Sequence, residues 1–381
     1  MLRMRVLHTA DLHLGRQFMG LSLEADHESV LGQIVDALVA EHVDVLVIAG
    51  DVFDRASPPS SAIRQFNRFL KRVAEETEAA VVMISGNHDS GDRIEAMSVF
   101  SAASRVLVRG IATAAEVPLV LRDAHGDVAF SALSFSYEYA AREVFGDEGI
   151  STPADVITAQ IAAARAYVPK GARWVVVAHA FVAGGAAGET ERALTRVGGI
   201  ETVPAEVFAG ATYVALGHLH KPQEVSASHI RYSGSPLAFG FDEAGAEKSM
   251  TIVDLNAETV DIRTLPFRPL RQVRSLTGAF ADLLAGTPSE DFIQAILTDA
   301  SPLIDPMKRL RVTYPNACHL AYAKQARAQE VKTFGTGSAV VTPVEMIDNF
   351  LKVVRGRDAN GPEMAILADK LHMAVSAEDR T

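Results

Sequence analysis

Ala79-Ala80-Val81-Val82-Met83-Ile84-Ser85-Gly86-Asn87-His88-Asp89 sets an apolar run against a glycine and then an amide, an imidazole and a carboxylate on consecutive residues. Such a run reads as a buried strand and the glycine as its sharp exit. Polar side chains leaving the C-terminal end of a strand stand in the crevice where open α/β sheets bind ligands. Four further strand-like runs end the same way. Residues 4–9 lead into Asp11-Leu12-His13, residues 43–49 into Gly50-Asp51, residues 174–178 into His179, and residues 212–216 into Gly217-His218-Leu219-His220. In extended chain the Asp-x-His and His-x-His spacings put both side chains on one face.

Between these exits the chain reads as α/β. Val30, Leu31, Ile34, Val35, Leu38 and Val39 recur at helical spacing over residues 22–41, giving a βαβ opening. Pro58-Pro59 precedes a second helix, with Ser60 or Ser61 as its expected cap and Ile63, Phe66, Leu70 and Val73 on one face. A third helix is expected over residues 154–167. Short β-rich runs at 117–121 and 128–133 argue against a purely parallel sheet. Gly184-Gly185-Ala186-Ala187-Gly188-Glu189 reads as a mobile loop by composition.

The texture changes near Pro266, so residues 1–266 are expected to form the main domain. Residues 267–325 would form a small α+β unit, with a helix at 280–285 and a strand at 292–297. Residues 326–341 read as a linker. Residues 342–381 read as a helical tail that opens on the capping box Thr342-Pro343-Val344-Glu345 and presents Met346, Ile347, Phe350, Leu351 and Val354 on one face.

At 381 residues, 48% hydrophobic and 22% charged, the chain can bury a large core. No apolar stretch approaches the roughly 20 residues that span a bilayer, and no signal-peptide core precedes the first strand, so a cytoplasmic protein is expected. The single cysteine, Cys318, cannot close an internal disulfide and reads as a buried, unreactive thiol. A formal net charge of -11 disfavours tight unaided binding to nucleic acid, whose phosphates attract Lys and Arg.

The exits together supply Asp11, His13, Asp51, Asn87, His179, His218 and His220. Carboxylate, imidazole and amide oxygen without thiolate suit a hard to borderline divalent cation such as Mn²⁺. Seven ligands exceed what one catalytic ion needs, so two ions sharing a carboxylate is the economical arrangement, and it suits phosphoester hydrolysis. His88 follows a ligand and turns to another side, where it could protonate the leaving oxygen or stabilise transition-state charge. Asp89 is expected to orient that ring. The other histidines lack such a setting. Arg16, Arg55, Arg64, Arg93 and Lys221 lie near the exits, and ordinary surface charge is the expectation for each.

As a set, Asp11-Leu12-His13, Gly50-Asp51, Gly86-Asn87-His88-Asp89, His179 and Gly217-His218-Leu219-His220 resemble the calcineurin-like metallophosphoesterase signature. The flanks Asp51-Val52-Phe53-Asp54, Ser57-Pro58-Pro59, Lys221-Pro222-Gln223 and Tyr232-Ser233-Gly234-Ser235-Pro236 resemble the SbcD family. So do Asp305-Pro306-Met307, Arg309-Leu310-Arg311 and Tyr314-Pro315-Asn316. The resemblance implies a four-layer α/β/β/α sandwich with a smaller capping domain that helps hold DNA and C-terminal helices. It also implies a Mn²⁺-dependent nuclease, a homodimer within a heterotetramer, whose tail docks on the coiled coil of an SbcC-type ATPase. One ion would be held by Asp11, His13, Asp51 and His220 and the other by Asp51, Asn87, His179 and His218, with His88 catalytic. The activities implied are a double-strand 3'-5' exonuclease and a single-strand or hairpin endonuclease. Two readings compete: a phosphoesterase acting on a small molecule or phosphoprotein, and an inactive scaffold that binds only DNA and the ATPase.

Overall fold

A computed structural model of the chain describes residues 3–103, 105–191, 195–196, 199–200 and 202–323. The expected linker and helical tail lie outside the described residues. The chain divides into two units, Met1–Ala321 and Tyr322–Thr381, and the first holds both main sheets.

The strands of these sheets are, in chain order, β1 (Met4–Thr9), β2 (Val45–Ala49), β3 (Ala80–Ile84), β4 (Val106–Arg109), β5 (Leu119–Asp123), β6 (Gly126–Leu133), β7 (Arg173–His179), β8 (Tyr213–Gly217), β9 (Gln223–Val225), β10 (Ala227–Tyr232), β11 (Ser249–Leu255) and β12 (Val260–Pro266). One sheet runs in the order β12-β11-β1-β2-β3-β4 and the other β9-β10-β8-β7-β6-β5. The central pairs β1/β2, β2/β3, β6/β7 and β7/β8 are parallel, and antiparallel pairs such as β1/β11 and β5/β6 close the flanks.

Parallel strands buried on both faces read as continuous apolar runs, as Val-Leu-Val-Ile-Ala in β2 does. Alternation decides which core each side chain joins. Val6, Val45, Val47 and Val82 face Phe130, Val177 and Ala215 across the seam between the sheets. Leu7, Leu46, Ile48 and Met83 point the other way, toward α1 (Glu24–Ala40) and α2 (Ser60–Glu76). On the far side, Trp174, Val176 and Val214 meet Ile157 and Ile161 of α4 (Pro153–Arg165), whose N-terminus is capped by Thr152 and Asp155; α3 (Glu138–Phe145) precedes it. The result is the four-layer α/β/β/α sandwich. The expected serine cap of α2 is not formed: Pro59 holds the N-cap position with no side-chain bond, and Ser60 is already helical.

After Pro266 come β13 (Val273–Gly278), α5 (Phe280–Leu284), β14 (Phe292–Leu297), α6 (Pro306–Thr313) and β15 (Ala317–Tyr322), which form a three-stranded sheet with two short helices. Phe267, Val273 and Phe292 join the same core as Phe18, Leu23 and α1. Arg271 pairs with the buried Asp26 and lies 4.4 Å over the Phe292 ring, so this region is knitted to the main sandwich. Cys318 is half-buried, with its thiol pushed up to about 11 by burial. Among the described residues no helix is long and apolar enough to cross a membrane.

Candidate metal centre

All five exits open at the same edge of the sandwich. The backbone there is not the extended chain that the spacing suggests. Asp11, His13 and Asp51 have φ of 54°, 45° and 48°, and His218 has 107°. Left-handed conformations are costly for residues with a Cβ, and they persist where the surroundings over-determine them. Here Asp11 N–H donates to the Gly50 carbonyl and His13 N–H to the Asp51 carbonyl, each at 3.0 Å, so the two turns lock one another. Glycine fills the gaps where ligands approach backbone. A Cβ on Gly86 would come within 2.2 Å of Asp51 Oδ1, and one on Gly50 within 2.4 Å of His179 Nδ1.

The seven expected ligands converge. The ligating atoms of Asp11, His13 and His220 lie within 4.8 Å of one another, as do those of Asp11, Asp51 and His179, and those of His13, Asp51 and His88. Asp51 Oδ2 stands 3.7 Å from His13 Nε2 and 3.5 Å from His179 Nε2, between the two histidines. Asn87 Oδ1 closes the far side, 2.9 Å from His179 Nε2 and 3.1 Å from His218 Nδ1. The Asp11 carboxylate accepts the His218 N–H at 3.0 and 3.1 Å.

The chemistry of this donor set calls for positive charge. His179 Nδ1–H donates to the Ala49 carbonyl at 2.9 Å, so Nε2 presents a lone pair to the Asn87 oxygen unless a proton or a cation sits between them. Burial disfavours charge on His179, yet Asp51 overrides it and lifts the imidazole to about 9. Burial likewise opposes ionisation of Asp51, but His179 and His13 hold it well below the usual carboxylate range. Burial holds His218 down at about 3 and pushes His13 and His220 well below 6.5. Three imidazoles are thus kept neutral, the state a metal requires. His13 Nδ1 is buried with no hydrogen-bond partner, and His13 Nε2 sits 3.2 Å from His220 Nε2. Lone pairs outnumber protons here, and the residues fit divalent cations.

His88 adjoins this set, edge-on to His13 with ring centroids 4.8 Å apart. Its orientation differs from the expectation. Asp89 does not reach the ring: its carboxylate accepts the backbone N–H groups of Val52, Phe53 and Gly86 at 3.0, 2.9 and 3.0 Å, clasping two exits together. Burial, then Asp51, raises the Asp89 carboxyl to about 7 despite those bonds. It is the carbonyl of Asp54 that accepts the His88 Nδ1–H, at 2.9 Å.

A further set of residues went unread in the sequence. His220 Nδ1 pairs with Thr190 Oγ1 at 3.0 Å, and Thr190 donates to Glu243 at 3.3 Å, so the relay leaves His220 Nε2 for the site. Glu243 is paired with Lys248, whose ammonium also donates to the His220 carbonyl at 2.9 Å and to Ser235 at 3.0 Å. Glu191 accepts the His220 N–H at 2.8 Å. The segment expected to be mobile is held as well: Ala186 exchanges two bonds with Gln223, at 2.8 and 2.9 Å, and Glu189 N–H donates to Asp242 at 2.9 Å. Phe239 packs edge-on against both His13 and His220, with centroids 5.2 and 5.3 Å away.

Of the remaining histidines, His8 is buried between the sheets, with Nδ1 3.0 Å from the Tyr213 hydroxyl and Nε2 3.1 Å from the Leu216 carbonyl. His372 lies outside the described residues.

Residues 4–222 match the family described as calcineurin-like phosphoesterase, and residues 266–354 match the type 5 capsule protein repressor C-terminal domain. The chain is 31% identical over 321 residues to the SbcD protein of the SbcCD nuclease of Staphylococcus saprophyticus, covering 83% of this chain and 84% of that protein. Among solved structures, GAP50, the anchor in the inner membrane complex of Plasmodium, aligns with a TM-score of 0.39 and 9% identity over 84% of this chain and 97% of that one, a likeness too loose to bear on the site.

Proposed function

We propose, because the chain belongs to the SbcD family of calcineurin-like phosphoesterases, that it hydrolyses DNA phosphodiester bonds as the nuclease subunit of an SbcCD-type complex. The observation that carries this reading is the position of Asp51 between His13 and His179, with Asp11, Asn87, His218 and His220 gathered round them. Asp11, His13, Asp51 and His220 would hold one divalent ion, Mn²⁺ by choice of donors, and Asp51, Asn87, His179 and His218 the other. Bound ions would polarise a phosphoryl oxygen and acidify the attacking water.

The protein's own groups do the rest. The rigid, left-handed turns present the ligands without rearrangement, so little reorganisation is needed when charge develops on the phosphoryl group. The Asp54 carbonyl accepts the His88 Nδ1–H and so orients the ring; as the imidazolium, His88 would donate the proton on Nε2 to the departing oxygen or stabilise its charge. The expected products are those of a double-strand 3'-5' exonuclease and a single-strand or hairpin endonuclease. Residues 342–381 would dock on the coiled coil of an SbcC-type ATPase by a helix face, in a complex that holds two copies of each chain.

The test is direct. The purified full chain is loaded with Mn²⁺, occupancy is measured by isothermal titration, and the chain is incubated with single-stranded and hairpin DNA, with and without the ATPase. Cleavage is expected; its absence from metal-loaded protein in both conditions sinks the reading. The net charge of -11 favours one alternative, a small-molecule phosphodiesterase, since it weakens attraction to long polyanions. Turnover of nucleotides with none on DNA would select it.

A further inference from the structure

One more strand exit opens at the same edge, and it carries rings instead of ligands. Strand β6 runs into Ser134-Phe135-Ser136-Tyr137-Glu138-Tyr139, and Phe135 N–H donates to the Ser85 carbonyl at 3.1 Å, which ties this segment to the exit bearing Asn87 and His88. From the metal ligand His179 a row of rings leads outward. Phe135 meets His179 edge-on at 6.4 Å and 90°, Tyr137 meets Phe135 edge-on at 5.0 Å and 85°, and Tyr139 stacks on Tyr137 at 5.7 Å and 10°. Phe135 is half-buried, whereas Tyr137 is 44% and Tyr139 69% exposed, so the row emerges into solvent beside the site. It has a firm seat: Tyr137 is the N-cap of α3, and Ala141 of that helix is fully buried against Ile150 and Val156.

A single exposed tyrosine is ordinary. Two near-parallel rings stacked on one another, joined through Phe135 to His179 and anchored at a helix N-terminus, present exposed π faces beside the candidate metal centre. We propose that Tyr137 and Tyr139 are a stacking platform for unpaired nucleobases next to the phosphodiester at the metal centre. The proposal rests on the reading of DNA as substrate. Every base has a π face, so such a platform holds a strand without regard to sequence. It also answers the charge problem: in a chain of net charge -11, stacking supplies affinity that phosphate contacts supply in basic proteins. Paired bases have their faces occupied within the duplex, so the platform selects frayed ends, loops and single strands.

The test compares the full-length wild type, Tyr137→Ala/Tyr139→Ala and Tyr137→Phe/Tyr139→Phe on three substrates: a short single-stranded oligonucleotide, the same oligonucleotide with abasic residues flanking the cut site, and bis(p-nitrophenyl) phosphate. The alanine pair is expected to raise KM for the normal oligonucleotide about tenfold. It should leave the abasic oligonucleotide and the small diester unchanged, while the phenylalanine pair behaves as wild type. Equal KM for wild type and the alanine pair on the normal oligonucleotide overturns the platform, as does an equal loss on the abasic one. Hydrolysis of the small diester with no action on any DNA by the wild type would overturn the DNA reading itself, and the platform with it.

Discussion

His88 and Thr190 both adjoin the proposed metal ligands, yet their removal should act in different ways. His88→Ala is expected to keep both ions, since the ring is not needed to complete either ligand set, and to lose about 10²- to 10⁴-fold in kcat. Titration calorimetry beside single-turnover cleavage checks this, and a parallel loss of metal would make the ring structural. Thr190→Val removes the hydroxyl that pairs with His220 Nδ1, so the ring can turn and Nε2 is no longer presented. The ion held by His220 should bind about 10- to 100-fold more weakly, with the other ion little changed. Two-step binding isotherms separate these outcomes, and an unchanged first step would remove Thr190 from the metal centre. The seven residues that converge were legible as candidates because each follows a strand exit at short, repeated spacing. Thr190, Glu243 and Lys248 were not, because a side chain that acts through another from a distant loop leaves no periodicity behind.

Among elements, the exits of β2 and β3 behave as one device, held by Asp89. Its carboxylate accepts three backbone N–H groups, two from the turn after Asp51 and one from Gly86. Asp89→Ala leaves three buried donors without partners, at about 1 kcal/mol or more each, so a loss of about 2 to 4 kcal/mol is expected in urea denaturation. Asp89→Asn, which retains an acceptor oxygen, should lose less. Equal stability of the alanine variant and wild type would show that water reaches these groups. The strands themselves were readable, since β2, β3, β7 and β8 are continuous apolar runs. The left-handed turns at Asp11, His13 and Asp51 were not: Asp-x-His in extended chain gives the same one-sided arrangement on paper, and only the packing of neighbouring exits reveals the other backbone. The cap of α2 failed for a related reason, since Pro59 already fixes the entry angle and no serine oxygen is required.

Across the whole molecule, the seam between the sheets and the junction at Pro266 each carry a prediction. Burial in the seam holds His8 down at about 3, against about 6.5 in the unfolded chain. Between those values the unfolded state binds the extra proton, so stability is full above pH 6.5 and falls as pH drops toward 3. The slope is about 1.4 kcal/mol per pH unit. From pH 6.5 to 4.5 that is about 2 to 3 kcal/mol, and denaturation curves for His8→Gln should be flatter by this amount; identical slopes would acquit His8. The two-domain reading of the sequence rests on a change of texture at 266, and texture does not report shared burial. Phe267, Val273 and Phe292 complete the core that Phe18 and Leu23 begin, and Arg271 neutralises the buried Asp26. A chain ended at Pro266 therefore exposes the apolar surface that Phe267, Val273 and Phe292 cover and loses the Arg271–Asp26 pair. Its thermal midpoint should fall well below that of the full chain, and a midpoint unchanged on truncation would mean that the two regions fold apart.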